Sequence, residues 1–221
     1  MKFIATWDAD LLNNSKINQR HLIIFTRYPE PGKTKTRLIP ALGAEGAANL
    51  QRQMTEYTLA QAKKLSNINS TSIEIRFAGG SLELMQAWLG NDLIYQSQGE
   101  GDLGQRMERS LLSALRNKAQ QVIFIGIDCP GVNPEILTAA FENLTIHDLV
   151  VGPATDGGYY LIGLKKYIPE LFANINWGTA AVLQETISIA QKLSLSSMQL
   201  QTLTDVDRPE DLSIWQSRST V

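Results

Sequence analysis

The sequence predicts a single α/β domain built on a mostly parallel sheet flanked by helices. Three observations lead there. Short apolar runs of strand character alternate with stretches of helical period. The run Val122 to Ile127 (VIFIGI) is apolar throughout, as in a central strand covered on both faces. The 221 residues, 43 % of them apolar, contain no repeat, low-complexity tract or linker that would divide the chain.

Along the chain, residues 1–20 are polar and rich in Asn and read as a loosely held extension, with the domain running over 21–221. The first strand is His21 to Thr26, followed by a helix over Glu45 to Leu65 that sets Leu50, Met54, Tyr57 and Leu65 near one face. A strand (Ile73 to Phe77), a helix (Leu82 to Leu89) and a strand (Leu93 to Gln96) come next. Asp102 to Asn117 reads as helix, because Leu103, Met107, Leu111 and Leu115 recur every four residues. After Val122 to Ile127 come a helix (Pro134 to Asn143) and two strands, Asp148 to Val151 and Tyr159 to Leu164, joined through a Gly turn. A helix (Thr179 to Leu193), a strand (Met198 to Leu203) and a helix opening at Pro209 complete the chain.

Composition excludes several function classes. A net charge of −2 argues against nucleic-acid or membrane-surface binding driven by bulk charge. Cys129 is the sole cysteine, so no intrachain disulfide forms, and with only His21 and His147 a Cys/His zinc site or a His-based nucleophile system is disfavoured. No segment reaches the roughly 20 apolar residues of a membrane span, and the opening MKFIATWDADLL is too briefly apolar for a signal peptide. A cytoplasmic location is expected.

Ligands of open α/β sheets bind outside the carboxyl ends of the strands. The stretch RYPEPGKTKTRL after the first strand gathers Arg27, Lys33, Lys35 and Arg37, either a set suited to phosphate oxygens or a solvated basic loop, and the density at a strand end favours the first. It is not a P-loop: Arg27 stands where that motif needs its first glycine. Asp128, in GIDCP at the end of the central strand, is either a ligand for Mg2+ (or Mn2+) or a cap for the next turn or helix. Neighbouring Cys129 has no basic residue beside it and reads as a packed thiol. Asp156-Gly157-Gly158-Tyr159 is either a plain turn or a turn whose glycines admit a substrate while Asp156 faces it. Asp205 and Asp207 offer a second carboxylate for the metal, with helix capping as the alternative for one of them. Gly101 and Gly104 flank a helix start, where N–H groups can meet an anion and Arg106 adds charge, although two glycines near a helix N-terminus mean little by themselves.

These motifs in this order, P-x-P-G-x-x-K-T-R-L, G-D-L-G-x-R-M, G-x-D-C-P, P-x-x-D-G-G-Y-Y-L-I-G and D-V-D-x-P-E-D-L, run from His21 to Leu212. They resemble the glycosyltransferase-like bacterial transferases associated with radical-SAM and selenium-domain genes. More distantly they are similar to phospholactate guanylyltransferase and the molybdenum-cofactor guanylyltransferases. The resemblance implies the nucleotide-diphospho-sugar transferase (glycosyltransferase-A) fold and a metal-dependent transferase acting on a nucleotide-activated substrate and a small-molecule acceptor. It implies that Lys35 and Arg37 act on phosphate with Arg27 and Lys33 nearby, and that Asp128 is the leading metal ligand, with Asp207, or else Asp205, the second. It also implies that Gly101, Asp102, Gly104 and Arg106 line the nucleotide and that Asp156, Gly157, Gly158 and Tyr159 line the acceptor. The chain departs from the pattern at Ile127, where a small polar residue is common, at Gly178, which replaces a hydroxyl residue after Trp177, and at Arg208 in place of Thr. Sugar transfer leads among the expected reactions. Nucleotidyl transfer with release of pyrophosphate is the alternative, and a non-catalytic nucleotide-binding module the third reading.

Overall fold

A computed structural model of the protein describes residues 19–68 and 70–217. The expected N-terminal extension lies outside the described residues up to residue 18. Arg20, expected within it, is the first residue of strand β1 (Arg20–Arg27). Around β1 the chain adds β2 (Thr71–Ala78), β3 (Ile94–Ser97), β4 (Gln121–Ile125), β5 (Leu149–Pro153), β6 (Tyr159–Leu164) and β7 (Ser197–Gln199). Among the described residues these form one seven-stranded sheet in the order β3-β2-β1-β4-β6-β5-β7. All neighbours run parallel except β6, which is antiparallel to both β4 and β5. The reason is local. The link from Pro153 to Tyr159 is far too short for a crossover, so β6 must return beside β5 as a hairpin.

Alternation along β1 divides the core into two layers. Leu22 and Ile24 point to one face, with Leu38, Met54, Ile75, Ile123, Leu137 and Phe141. Ile23 points to the other, with Met107, Leu111, Phe124, Ile162 and Ile187. The first face is covered by α1 (Ile39–Ile68), α2 (Leu82–Leu89), α4 (Pro134–Ile146) and α6 (Leu212–Ser217), the second by α3 (Leu103–Arg116) and α5 (Val182–Lys192). Burial on both faces explains why the central strands read as unbroken apolar runs.

Several boundaries differ from expectation, and three of them bear on the loops described below. Helix α1 begins at Ile39 rather than Glu45, its first turn joined to the rest through Gly43, which sits at φ 71°. Helix α5 begins at Val182 rather than Thr179, because Asn176 is pinned by Glu185 and the intervening residues turn instead. Strand β7 stops at Gln199. The Gln201 carbonyl accepts from the Tyr160 hydroxyl, and Leu203 rejoins the sheet only as a single bridge to Ala154.

The topology sets the location of the site. The carboxyl ends of β1 and β4 and the start of antiparallel β6 lie at one edge of the sheet. The loops carrying residues 27–38, 126–133 and 154–158 therefore converge there, and the stretch after β7 closes on them.

Candidate active site

The basic loop is fixed by its own backbone. The Tyr28 amide donates to the Ala78 carbonyl (2.9 Å), the Lys33 amide to the Glu30 carbonyl (3.0 Å) and the buried Thr34 hydroxyl to the same carbonyl (3.3 Å). Lys35 then takes a left-handed conformation, φ 47° and ψ 42°, unusual for a residue with a long side chain. The turn sends its ammonium inward. The Lys35 Nζ donates to Asp128 Oδ1 (2.5 Å) and to the Val206 carbonyl (2.7 Å), and its side chain is only 4 % exposed. Arg37 pairs with Asp207 from the solvent side, its side chain 65 % exposed. Lys33 reaches back to Glu30 (2.8 Å), and Arg27 is exposed at the wall of the cleft.

Both capping alternatives are resolved by geometry. Helix α4 is capped by Asn133, whose side chain accepts from the Ile136 amide (2.9 Å), so Asp128 is not its cap. The turn at Pro209 is held by Asp211, which accepts from the amides of Asp207 (3.1 Å) and Arg208 (2.8 Å). The carboxylates of Asp205 and Asp207 are left for other work. The Val206 amide donates to the Asp128 carbonyl (2.8 Å), which ties the stretch after β7 to the end of β4. Burial, then the charges of Asp156, Asp128 and Asp207, push the Asp205 carboxyl above its ordinary value. Cys129 is buried, and burial with the nearby carboxylates drives its thiol far up, as expected of a packed and unreactive sulfur.

These groups share one cleft of two lobes. The larger, about 530 Å³, is lined by Arg27, Lys33, Lys35, Arg37, Asp128 and Asp207 on its polar side and by Phe25, Leu103, Met107 and Phe124 on its apolar side. The smaller, about 270 Å³, is lined by Asp156, Gly158, Trp177, Thr179 and Asp205. Arg37, Asp128, Tyr159, Tyr160 and Asp207 belong to both lobes. Asp156 closes its own turn by accepting from the Gly158 amide (2.8 Å). Gly157 lies so close to the turn before α5 that a Cβ there would stand 2.4 Å from the Ala180 carbonyl oxygen.

Gly101, Asp102, Gly104 and Arg106 do not line either lobe. Asp102 caps α3 through the Gln105 amide (2.8 Å), and Arg106 donates to the Gly101 carbonyl (2.8 Å) and to Gln98 Oε1 (3.3 Å). Gly104 packs under Phe172 and Trp177. This motif builds the wall, and Leu103 and Met107 are what it presents to the cleft. Gln98 and Gln51 also line the larger lobe, and neither stands out in the sequence as a site residue. Gln98 donates to the carbonyls of Thr26 (2.9 Å) and Arg76 (3.0 Å), tying the β1 and β2 ends to the loop before α3. Gln51 sits on α1 beside other buried polar residues, Thr55 and Thr58, so the helical period does not single it out.

Among the described residues no three or more Asp, Glu, His or Cys side chains converge as a metal shell, and two of the expected ligands are paired with cations. The donor set still suits a hard divalent cation. Asp128, Asp205 and Asp207 line one cleft as carboxylates, and Mg2+ or Mn2+ needs few protein ligands when phosphate oxygens and water supply the others.

Residues 58–179 match the family described as "uncharacterized protein conserved in bacteria (DUF2064)". A solved structure of a candidate nucleotide-diphospho-sugar transferase from Desulfovibrio desulfuricans G20 is 34% identical, with a TM-score of 0.84 over 90% of this chain and 86% of that one. The chain belongs to the DUF2064 family. This DUF2064 protein also shares its fold with the inositol-1-phosphate CTP transferase from T. maritima, at 13% identity and a TM-score of 0.57 over 91% and 96% of the two chains. Glucosyl-3-phosphoglycerate synthase from Mycobacterium tuberculosis, solved with Mn2+, UDP and phosphoglyceric acid, matches at 13% identity and 0.53 over 90% and 75%. At such identities the likeness is one of fold, the nucleotide-diphospho-sugar transferase fold. No curated protein matches the sequence. Among the described residues of the DUF2064 chain no helix is long and apolar enough to cross a membrane.

Proposed function

We propose that this chain is a divalent-metal-dependent transferase that moves a sugar from a nucleotide-diphospho-sugar to a small-molecule acceptor, in the cytoplasm and without nucleic-acid partners. One observation carries the reading. Two cations of the basic loop, Lys35 and Arg37, and two carboxylates from distant segments, Asp128 and Asp207, meet where the two lobes of the cleft join. A phosphate-binding group and a metal-binding group are then side by side, at the end of the sheet where such folds take ligands. The sugar-transferase name of the 34% identical protein supports transfer of a sugar.

In this reading Lys35 and Arg37 grip the diphosphate, with Arg27 and Lys33 at the rim, through charge-assisted hydrogen bonds. The same cations stabilise the charge left on the departing nucleoside diphosphate. The apolar side of the larger lobe, Phe25, Leu103, Met107 and Phe124, takes the nucleoside. Asp128, with Asp207 or Asp205, would hold Mg2+ or Mn2+, which when bound neutralises phosphate oxygens. The smaller lobe takes the acceptor against Trp177, with Asp156 and Tyr159 at its wall.

A second reading is nucleotidyl transfer, of the guanylyltransferase or cytidylyltransferase kind. It is favoured by the four cations lining the larger lobe, more than a diphosphate requires, and by the CTP transferase among its fold relatives. Incubation with nucleoside triphosphates and sugar nucleotides in Mg2+ or Mn2+ separates the two, since sugar transfer or hydrolysis releases nucleoside diphosphate and nucleotidyl transfer releases pyrophosphate. Pyrophosphate alone would reverse the order of the readings. Neither product across both panels leaves only a non-catalytic nucleotide-binding module.

A further inference from the structure

The two ion pairs at the joint have a common form. Each couples one cation of the residue 33–37 loop to one carboxylate of the proposed metal seat, across 93 residues for Lys35 and Asp128 and 170 for Arg37 and Asp207. We infer that Lys35 and Arg37 are built-in counter-ions that close the metal seat until a polyphosphate draws them away, so that metal and nucleotide each bind well only in the presence of the other. The inference rests on the reading of Asp128 and Asp207 as metal ligands and adds the regulation of that site.

The argument is electrostatic. A carboxylate oxygen that already accepts from an ammonium has one lone pair fewer for a metal, and a dication arriving there meets a fixed positive charge a few ångströms away. Lys35 is the stronger of the two. Its side chain is 4 % exposed, so solvent screens it little, and its Nζ is held by the Val206 carbonyl as well as by Asp128. It is also aimed from a backbone conformation that an L-residue with a long side chain rarely takes, which favours a committed position over a passing contact. Arg37 is exposed and gives way more easily.

A ligand with two or more phosphoryl groups offers each cation a new partner. Releasing both pairs frees Asp128 and Asp207 together, and by linkage the metal then strengthens nucleotide binding by the same factor that the nucleotide strengthens metal binding. Asp205 has no cation partner among the described residues and leaves a weak residual affinity for metal alone.

Mn2+ alone is the probe, counted by the loss of the free-ion electron paramagnetic resonance signal on adding protein without nucleotide. The Lys35→Met/Arg37→Met variant should bind Mn2+ at least ten-fold more tightly than the natural protein, and adding Asp128→Asn should remove the gain. Arg37→Met alone, which touches no buried group, should show a smaller gain that Asp207→Asn removes. Equal or weaker Mn2+ binding by the double variant, with binding still dependent on Asp128, overturns the counter-ion role and leaves the metal seat standing. Binding that ignores Asp128 in every protein, with nucleotide or without, removes the metal seat and the counter-ion role together.

Discussion

The Val206 amide donates to the Asp128 carbonyl over 2.8 Å, and the Val206 carbonyl in turn accepts from the Lys35 ammonium over 2.7 Å. Val206 is fully buried and joins the end of β4, the stretch after β7 and the basic loop into one unit. Asp128 and Asp207 are therefore carried by the same small framework that holds Lys35.

That framework makes the two cations unequal in stability. Lys35→Met removes a nearly buried donor from two acceptors and should lower the unfolding free energy by about 1–3 kcal/mol. Arg37→Met removes an exposed pair and should leave the urea midpoint unchanged. Exposed cations contribute little to folding, and burial sets Lys35 apart from Arg37 in this respect. Equal midpoints for the two variants would show that the Val206 contact contributes nothing.

Gly104 tests the wall of the cleft. A Cβ at this position would stand 2.4 Å from the Phe172 carbonyl oxygen and 2.6 Å from Trp177 Nε1. Gly104→Ala should therefore cost about 1–3 kcal/mol by overpacking, despite the better helix propensity of alanine. It should also change Trp177 fluorescence in the folded state. A variant as stable as the natural protein, with the same emission, would mean that α3 shifts freely away from Trp177.

Asp148 gives a pH dependence of known sign. Hydrogen bonds from the Ser196 side chain and from Lys166 hold its carboxyl down to about 2, against 3.8 ordinarily. The Ser196 bonds clasp the start of β5 to the turn before β7, and Lys166 adds the segment after β6. A carboxyl whose folded value is depressed stabilises the protein above its unfolded value and loses that contribution as pH falls from about 4 towards 2. The stability gap between the natural protein and Asp148→Asn should be constant from pH 7 to 5 and narrow below pH 4. A gap unchanged down to pH 3 would assign the effect to shape rather than charge.

The middle of the sheet was legible because its central strands are buried on both faces, and a run such as VIFIGI fits a central strand better than any surface element. The antiparallel direction of β6 was hidden, since an apolar strand looks the same read either way and only the short link before it carries the signal. Lys35, Arg37, Asp128 and Asp207 stood out as charges where apolar runs end. The GDLGQRM stretch reads two ways in sequence because glycines and an acidic cap at a helix start look alike whether they serve a ligand or the helix; in the structure Asp102 caps α3 and Arg106 reaches back to the Gly101 carbonyl. Gln98 went unseen because its importance lies in bonds to Thr26 and Arg76, 72 and 22 residues away.

The most direct test of the cleft as a metal-dependent nucleotide site is thermal unfolding in Mg2+ with nucleoside diphosphates, triphosphates and sugar nucleotides, for the natural protein beside Asp128→Asn and Lys35→Met. A ligand at a hundred times its dissociation constant stabilises by about 2.7 kcal/mol. At least one nucleotide should therefore raise the melting temperature of the natural protein by several degrees, and of neither variant. No response to any nucleotide, or an equal response in Asp128→Asn, would contradict the account.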